Sequence, residues 1–106
     1  MEKSKEQYGN LNKIKDVTKL GIKANHVLIE VVEGEKSPLL LPAGTRTNNE
    51  LLVVKAVGEA VKSISVGDYV IDISGAVSMY EKNDTRYMIT DVYNIVLYVT
   101  PDNYEG

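Results

Sequence analysis

Residues able to do chemistry are few in this chain, and their spacing does not bring them into a working set. There is one histidine, His26, and no cysteine. A lone imidazole with no second ligand or nucleophile reads as an ordinary strand-end side chain. No Ser-containing nucleophile elbow is present to pair with it. The chain also lacks a glycine-rich phosphate motif and any metal-ligand spacing. Asp68, Asp72, Asp84 and Asp91 sit mostly at predicted turns, where carboxylates hydrogen-bond backbone amides and cap short helices. Tyr69, Tyr80, Tyr87, Tyr93 and Tyr98 are spread over several predicted strands and read as core and interface surface. These residues point away from catalysis. The expectation is a protein that is not an enzyme and uses neither metal nor cofactor.

The informative stretch is instead a binding one. Residues 34–49 are rich in Gly, Ser, Thr, Asn and charge, which marks a loop. In its middle stand Leu39, Leu40 and Leu41, held between Pro38 and Pro42 and preceded by Ser37. Neither proline can donate to a sheet ladder, which argues against an interior strand there. Three leucines are too few for a helix with its own buried face. Two readings stand: a plug folded onto the domain's own core, or an anchor on a long functional loop.

Composition sets the class. The chain has 106 residues, seven tyrosines, no Phe or Trp, and a net charge of −3. That length is one domain's worth. A core of Val, Ile, Leu and Tyr favours strands. Net negative charge argues against a general nucleic-acid surface. No apolar run reaches membrane-spanning length, and residues 1–7 carry no signal-peptide core. The absence of cysteine fits a reducing compartment. The expectation is a cytoplasmic all-β domain with no nucleic-acid or membrane partner.

Residues 1–10 read as a frayed polar arm. Leu11, Ile14, Val17 and Leu20 are spaced by three, which predicts a short helical or 3₁₀ segment with Asn10 as cap and Gly21 as stop. An extended arm lying on a neighbour would use the same residues. Asn25–Glu33 alternates as a strand. Val27, Ile29 and Val31 face one way; Leu28 and Val32 on the other face imply cover on both sides. Further strands are predicted at Glu50–Val57, Tyr69–Ile73, Ala76–Glu81, Arg86–Thr90 and Ile95–Thr100. Val66-Gly67-Asp68 makes a tight turn with Gly67 at positive φ. Gly75 marks a break, Lys82–Thr85 a hairpin turn, and Asp91–Asn94 one helical turn capped by Thr90 or Asp91. Pro101 stops the last strand, leaving a tail at 101–106. Many short strands with turn signals between them predict a small barrel or sandwich.

The order of these parts resembles the GroES-like co-chaperonin (chaperonin-10) family. The strand Asn25–Val31 is followed by a loop with an aliphatic triplet. Then come Ala56-Val57-Gly58, Val66-Gly67-Asp68-Tyr69-Val70 and the closing Asn94-Ile95-Val96-Leu97-Tyr98-Val99. Together these cover about residues 22–99. The resemblance implies a GroES-like β-barrel at 22–100, an N-terminal extension at 1–21, a mobile loop at 34–49 and a C-terminal tail at 101–106. It implies a homo-oligomeric ring, usually of seven subunits, that caps a GroEL-type chaperonin in the presence of nucleotide and assists protein folding. Leu39, Leu40 and Leu41 would dock on the chaperonin's apical domains, flanked by Ser37, Pro38 and Pro42. Val27, Ile29 and Val31 of the first strand and Ile95, Leu97 and Val99 of the last would form the subunit interface. Only Glu59–Ser65 separates Gly58 from Val66, too short for the family's roof hairpin, so the ring top would be open or thin. Virus-encoded members diverge in a similar way, which makes a phage origin an expectation.

The physics of the loop agrees. Burying three leucines yields on the order of 5–9 kcal/mol. Ordering about ten loop residues costs about 1–2 kcal/mol each. One loop would bind weakly, prolines would trim the ordering cost, and several loops on one ring would sum to useful affinity. The alternative is a structural or assembly protein, for example a virion component, reusing the same barrel. A GroES-like domain of a medium-chain dehydrogenase lacks its zinc cysteines and dinucleotide domain here. An oligonucleotide-binding barrel conflicts with the net negative charge.

Overall fold

A computed structural model describes residues 8–33 and 50–105 of the chain. Their strands are β1 (Tyr8–Asn10), β2 (His26–Glu33), β3 (Glu50–Val57), β4 (Tyr69–Ile73), β5 (Ser78–Lys82), β6 (Thr85–Asp91) and β7 (Ile95–Val99). Among the described residues, single 3₁₀ turns lie at Val17–Lys19, Val92–Asn94 and Pro101–Asn103. The all-β expectation holds. The strands form one open mixed sheet in the order β1-β5-β6-β2-β3-β4-β7. Among the described residues no hydrogen-bonded closure joins β1 to β7, so the sheet as described ends in two edges.

The alternation of β2 builds two cores. Val27 and Ile29 are fully buried with Val54, Ile64 and Val70 on one face. Ile73 and Ile95, from β4 and β7, pack on that same cluster with Met88 of β6. The far end of the sheet therefore folds back over its own inner face. Leu28 is fully buried on the other face with Val17, Ala56 and Tyr87. Both faces of β2 are covered, as its two-sided apolar pattern predicts.

What covers the second face is the N-terminal segment. Leu11, Ile14, Leu20 and Ile22 pack around the buried Val17 there. Residues 8–10 are not a frayed arm: they add to the sheet as β1, parallel to β5, with Tyr8 opposite Met79 and Asn10 opposite Glu81. The reason is local fit. Gly9 sits close to the Tyr80 ring, where an added Cβ would stand 2.3 Å from a ring carbon, and the Leu11 amide donates to the Glu81 carbonyl at 2.8 Å.

The predicted helix of 10–20 shrinks to Val17–Lys19, and its cap is Asp16 rather than Asn10. Asn10 is instead the last residue of β1, held opposite Glu81 of β5, and its Oδ1 accepts from the Asn12 amide at 2.7 Å in a turn that no helix follows. Gly67 adopts φ +100°, and the hairpin turns through Asn83 at φ +56°. Asp91 caps the turn before β7 through the Tyr93 amide at 2.9 Å. The strand predicted from Ala76 begins at Ser78, because the Ala76 carbonyl is taken by the Thr90 hydroxyl at 3.0 Å. Between β3 and β4, residues 58–68 contain no strand.

Candidate functional site

Leu39, Leu40 and Leu41, with Ser37, Pro38 and Pro42, lie outside the described residues. What the structure does describe is the stem from which that segment leaves and to which it returns. β2 and β3 stay paired to their ends: Val31 opposite Leu52, Val32 opposite Leu51, Glu33 opposite Glu50. Glu33 and Glu50, the described residues on either side of positions 34–49, thus stand directly opposite each other, held there by the register of β2 and β3.

Charged side chains crowd the stem. Arg86, opposite Val31 on β6, reaches Glu50 on β3 with Nη2 2.9 Å from Oε2. Lys55 stands 3.5 Å from Glu30. Tyr87, opposite Glu30, is buried, and its phenol is pushed above its usual range by burial first and by the Glu30 carboxylate second. Beside the stem is an open cleft of about 180 Å³ lined by Glu30, Val31, Val32, Asp84, Thr85 and Arg86.

A second feature is the β7 edge. Ile95-Val96-Leu97-Tyr98-Val99 contains no charge. Val96 and Leu97 are each 55% exposed, and Ile71 on the neighbouring β4 is 51% exposed. Among the described residues β7 is hydrogen-bonded only to β4. Isolated sheet edges are ordinarily blunted by charge, proline or cover; this one carries an apolar surface instead.

The expected interface residues divide. Leu97 is exposed, while Ile95 and Val99 are half-buried. Val27, Ile29 and Val31 are all buried within this chain, and β2 is paired on both sides, to β3 and to β6. Of the two strands expected at the interface, β2 and β7, only β7 stands at an end of the sheet.

The chemistry-bearing residues stay apart. His26 is exposed, its Nδ1 3.1 Å from the Lys23 carbonyl. Asp68 accepts from the Ser65 amide at 3.0 Å, a turn bond as expected. Asp72 lies inside β4 and faces solvent rather than at a turn. Among the described residues no group of three or more His, Asp or Glu side chains could hold a metal ion. The Arg86–Glu50 pair escapes sequence reasoning, because it joins residues across β2 that only the sheet order brings together.

Comparison with known proteins returned nothing for this chain: no protein-family model, curated protein or solved structure matches it.

Proposed function

We propose that this protein is a co-chaperonin: a non-enzymatic homo-oligomer, a ring of seven in the family it resembles, that caps a GroEL-type chaperonin in the presence of nucleotide and assists folding. The observation that carries the reading is the β2–β3 stem. Its opposed ends, Glu33 and Glu50, bracket a long segment whose one apolar stretch is Leu39–Leu41 between two prolines. Such a segment is an anchor of low individual affinity, suited to a partner that must let go in each cycle. It becomes useful only when several copies act together. The uncharged β7 edge supplies a surface for assembling those copies, with the GroES-like sheet closing against a neighbour rather than on itself. The chain from Gly58 to Val66 leaves the ring top without the family's roof hairpin.

The β7 edge also suits a second reading, in which the domain is a structural or assembly component and the leucines grip a fixed neighbour. Light scattering after size exclusion, or mass photometry, separates the two. The co-chaperonin reading expects a ring alone and a ring–chaperonin complex only with ATP or ADP. A monomer, or a ring that ignores chaperonin in every nucleotide state, leaves the structural reading.

A further inference from the structure

We propose that Arg86 is a positioning residue: through Glu50 it clamps the stem of the loop and sets the path on which the chain re-enters the sheet. The inference rests on the docking-loop reading only for its binding consequence; the clamp itself is read from described residues. Glu50 is the first residue of β3, and its carboxylate meets the Arg86 guanidinium at 2.9 Å.

The geometry is specific. Side chains alternate along a strand. Arg86 therefore shares the face of Met88, and Glu50 shares the face of Leu52; both Met88 and Leu52 pack on the inner core. Between them on β2 lies Val31, opposite both Arg86 and Leu52 and 4% exposed. The ion pair thus spans three strands, crossing the loop end of the inner core above Val31. The backbone ladder fixes Glu50 against Glu33, but a terminal ladder pair frays readily. A charge-assisted hydrogen bond to a strand two places away ties Glu50 to β6 and holds the stem closed.

The hairpin that carries Arg86 is itself braced. Asn12 Oδ1 accepts from the Asn83 amide at 2.5 Å, and the Leu11 amide bonds Glu81. The N-terminal segment thereby steadies the β5–β6 hairpin from its outer side. Arg86 passes that order on to the stem.

Hydrogen exchange and chaperonin binding test the clamp in the full-length protein, with Arg86→Gln, Glu50→Gln and the exchanged pair Arg86→Glu/Glu50→Arg. The side chains of this pair are 41% and 39% exposed, so each single variant should change stem opening by about twofold to fivefold. Amide exchange at Glu50, Leu51 and Leu52 should accelerate by that factor while exchange at Val27–Ile29 stays unchanged. The exchanged pair should restore the slow rate. Thermolysin cleavage within 34–49 should rise and fall in parallel. If wild type binds chaperonin with nucleotide, each single variant should bind more weakly, and the exchanged pair should recover. Unchanged stem exchange in Arg86→Gln, or no recovery in the exchanged pair, overturns the clamp. Absence of wild-type binding in every nucleotide state overturns the docking reading instead and leaves the exchange result to decide the clamp.

Discussion

Gly58 sits against the backbone of Ala24: a Cβ added at Gly58 would stand 2.2 Å from the Ala24 carbonyl oxygen and 2.7 Å from that of Lys23. This close approach locks the entry to β2 against the exit from β3. The Gly58 amide donates to the His26 carbonyl at 2.8 Å, and the Ala60 amide donates to the Ala24 carbonyl at 3.0 Å. Because the obstructing atoms are backbone, no rotamer change can relieve the clash. Gly58→Ala should destabilise the fold by about 3 kcal/mol, read as a lowered urea midpoint with an unchanged slope. A midpoint within error of wild type would show that the two segments can part at no cost.

Leu97 tests the assembly edge. Its side chain is largely solvent-exposed in the isolated chain, so Leu97→Glu should leave the unfolding midpoint of the dissociated chain unchanged within about 0.5 kcal/mol. Light scattering should nevertheless show loss of the oligomer, since a charge would be buried unpaired at the joint. An intact oligomer carrying this substitution would move the interface away from β7.

Leu40 tests the docking loop. Leu40→Asp should abolish chaperonin binding in pull-down with ATP while leaving the oligomer's mass unchanged. Retained binding would remove the leucine triplet from the docking role.

Asp16 offers a pH test. Its carboxylate accepts from both the amide and the hydroxyl of Thr18, and the side-chain bond first, then the backbone bond, holds its pKa below the usual 3.8. A depressed folded-state pKa stabilises above the unfolded value and is lost as pH falls through the folded one. Asp16→Ala should therefore lower stability modestly near neutral pH. The difference from wild type should shrink as pH drops below about 3.8. Denaturant titrations at neutral and acidic pH measure it; a difference that persists in acid would assign the effect to lost helix initiation rather than to the charge.

Much of this fold is legible locally. β2, β3 and β4 show themselves through alternation, β-branched side chains and glycine turns, and those are properties of neighbours in sequence. Asp91 identifies its cap for the same reason. The cap at Asp16 is obscured because Asn10 is an equally good capping residue by type; only its pairing with Glu81 at the end of β1 removes it from that role. β1 is hidden for a different reason. Tyr8-Gly9-Asn10 has no strand pattern of its own, and its order comes from a ready-made edge on β5 and the close fit of Gly9 beside the Tyr80 ring. Of the candidate site, the leucines are visible as a chemical anomaly between prolines. The Arg86–Glu50 clamp is not, since it depends on which strands lie beside one another. Val27, Ile29 and Val31 are visible as an apolar stripe, but only the sheet order tells that β2 is central.

The pairing of β1 with β5 has a temporal consequence. Asn12 and Asn83, which meet at the hairpin tip, are 71 positions apart. On a growing chain β1 is made well before the β5 edge that orders it. Leu11, Ile14, Val17, Leu20 and Ile22 must wait, uncovered, until the strands beneath them exist. Contacts of such long separation slow folding and leave apolar surface open to wrong encounters meanwhile. Burial of this cluster and ordering of β1 thus join segments far apart in the chain, and neither can be completed until β5 and β6 have been made.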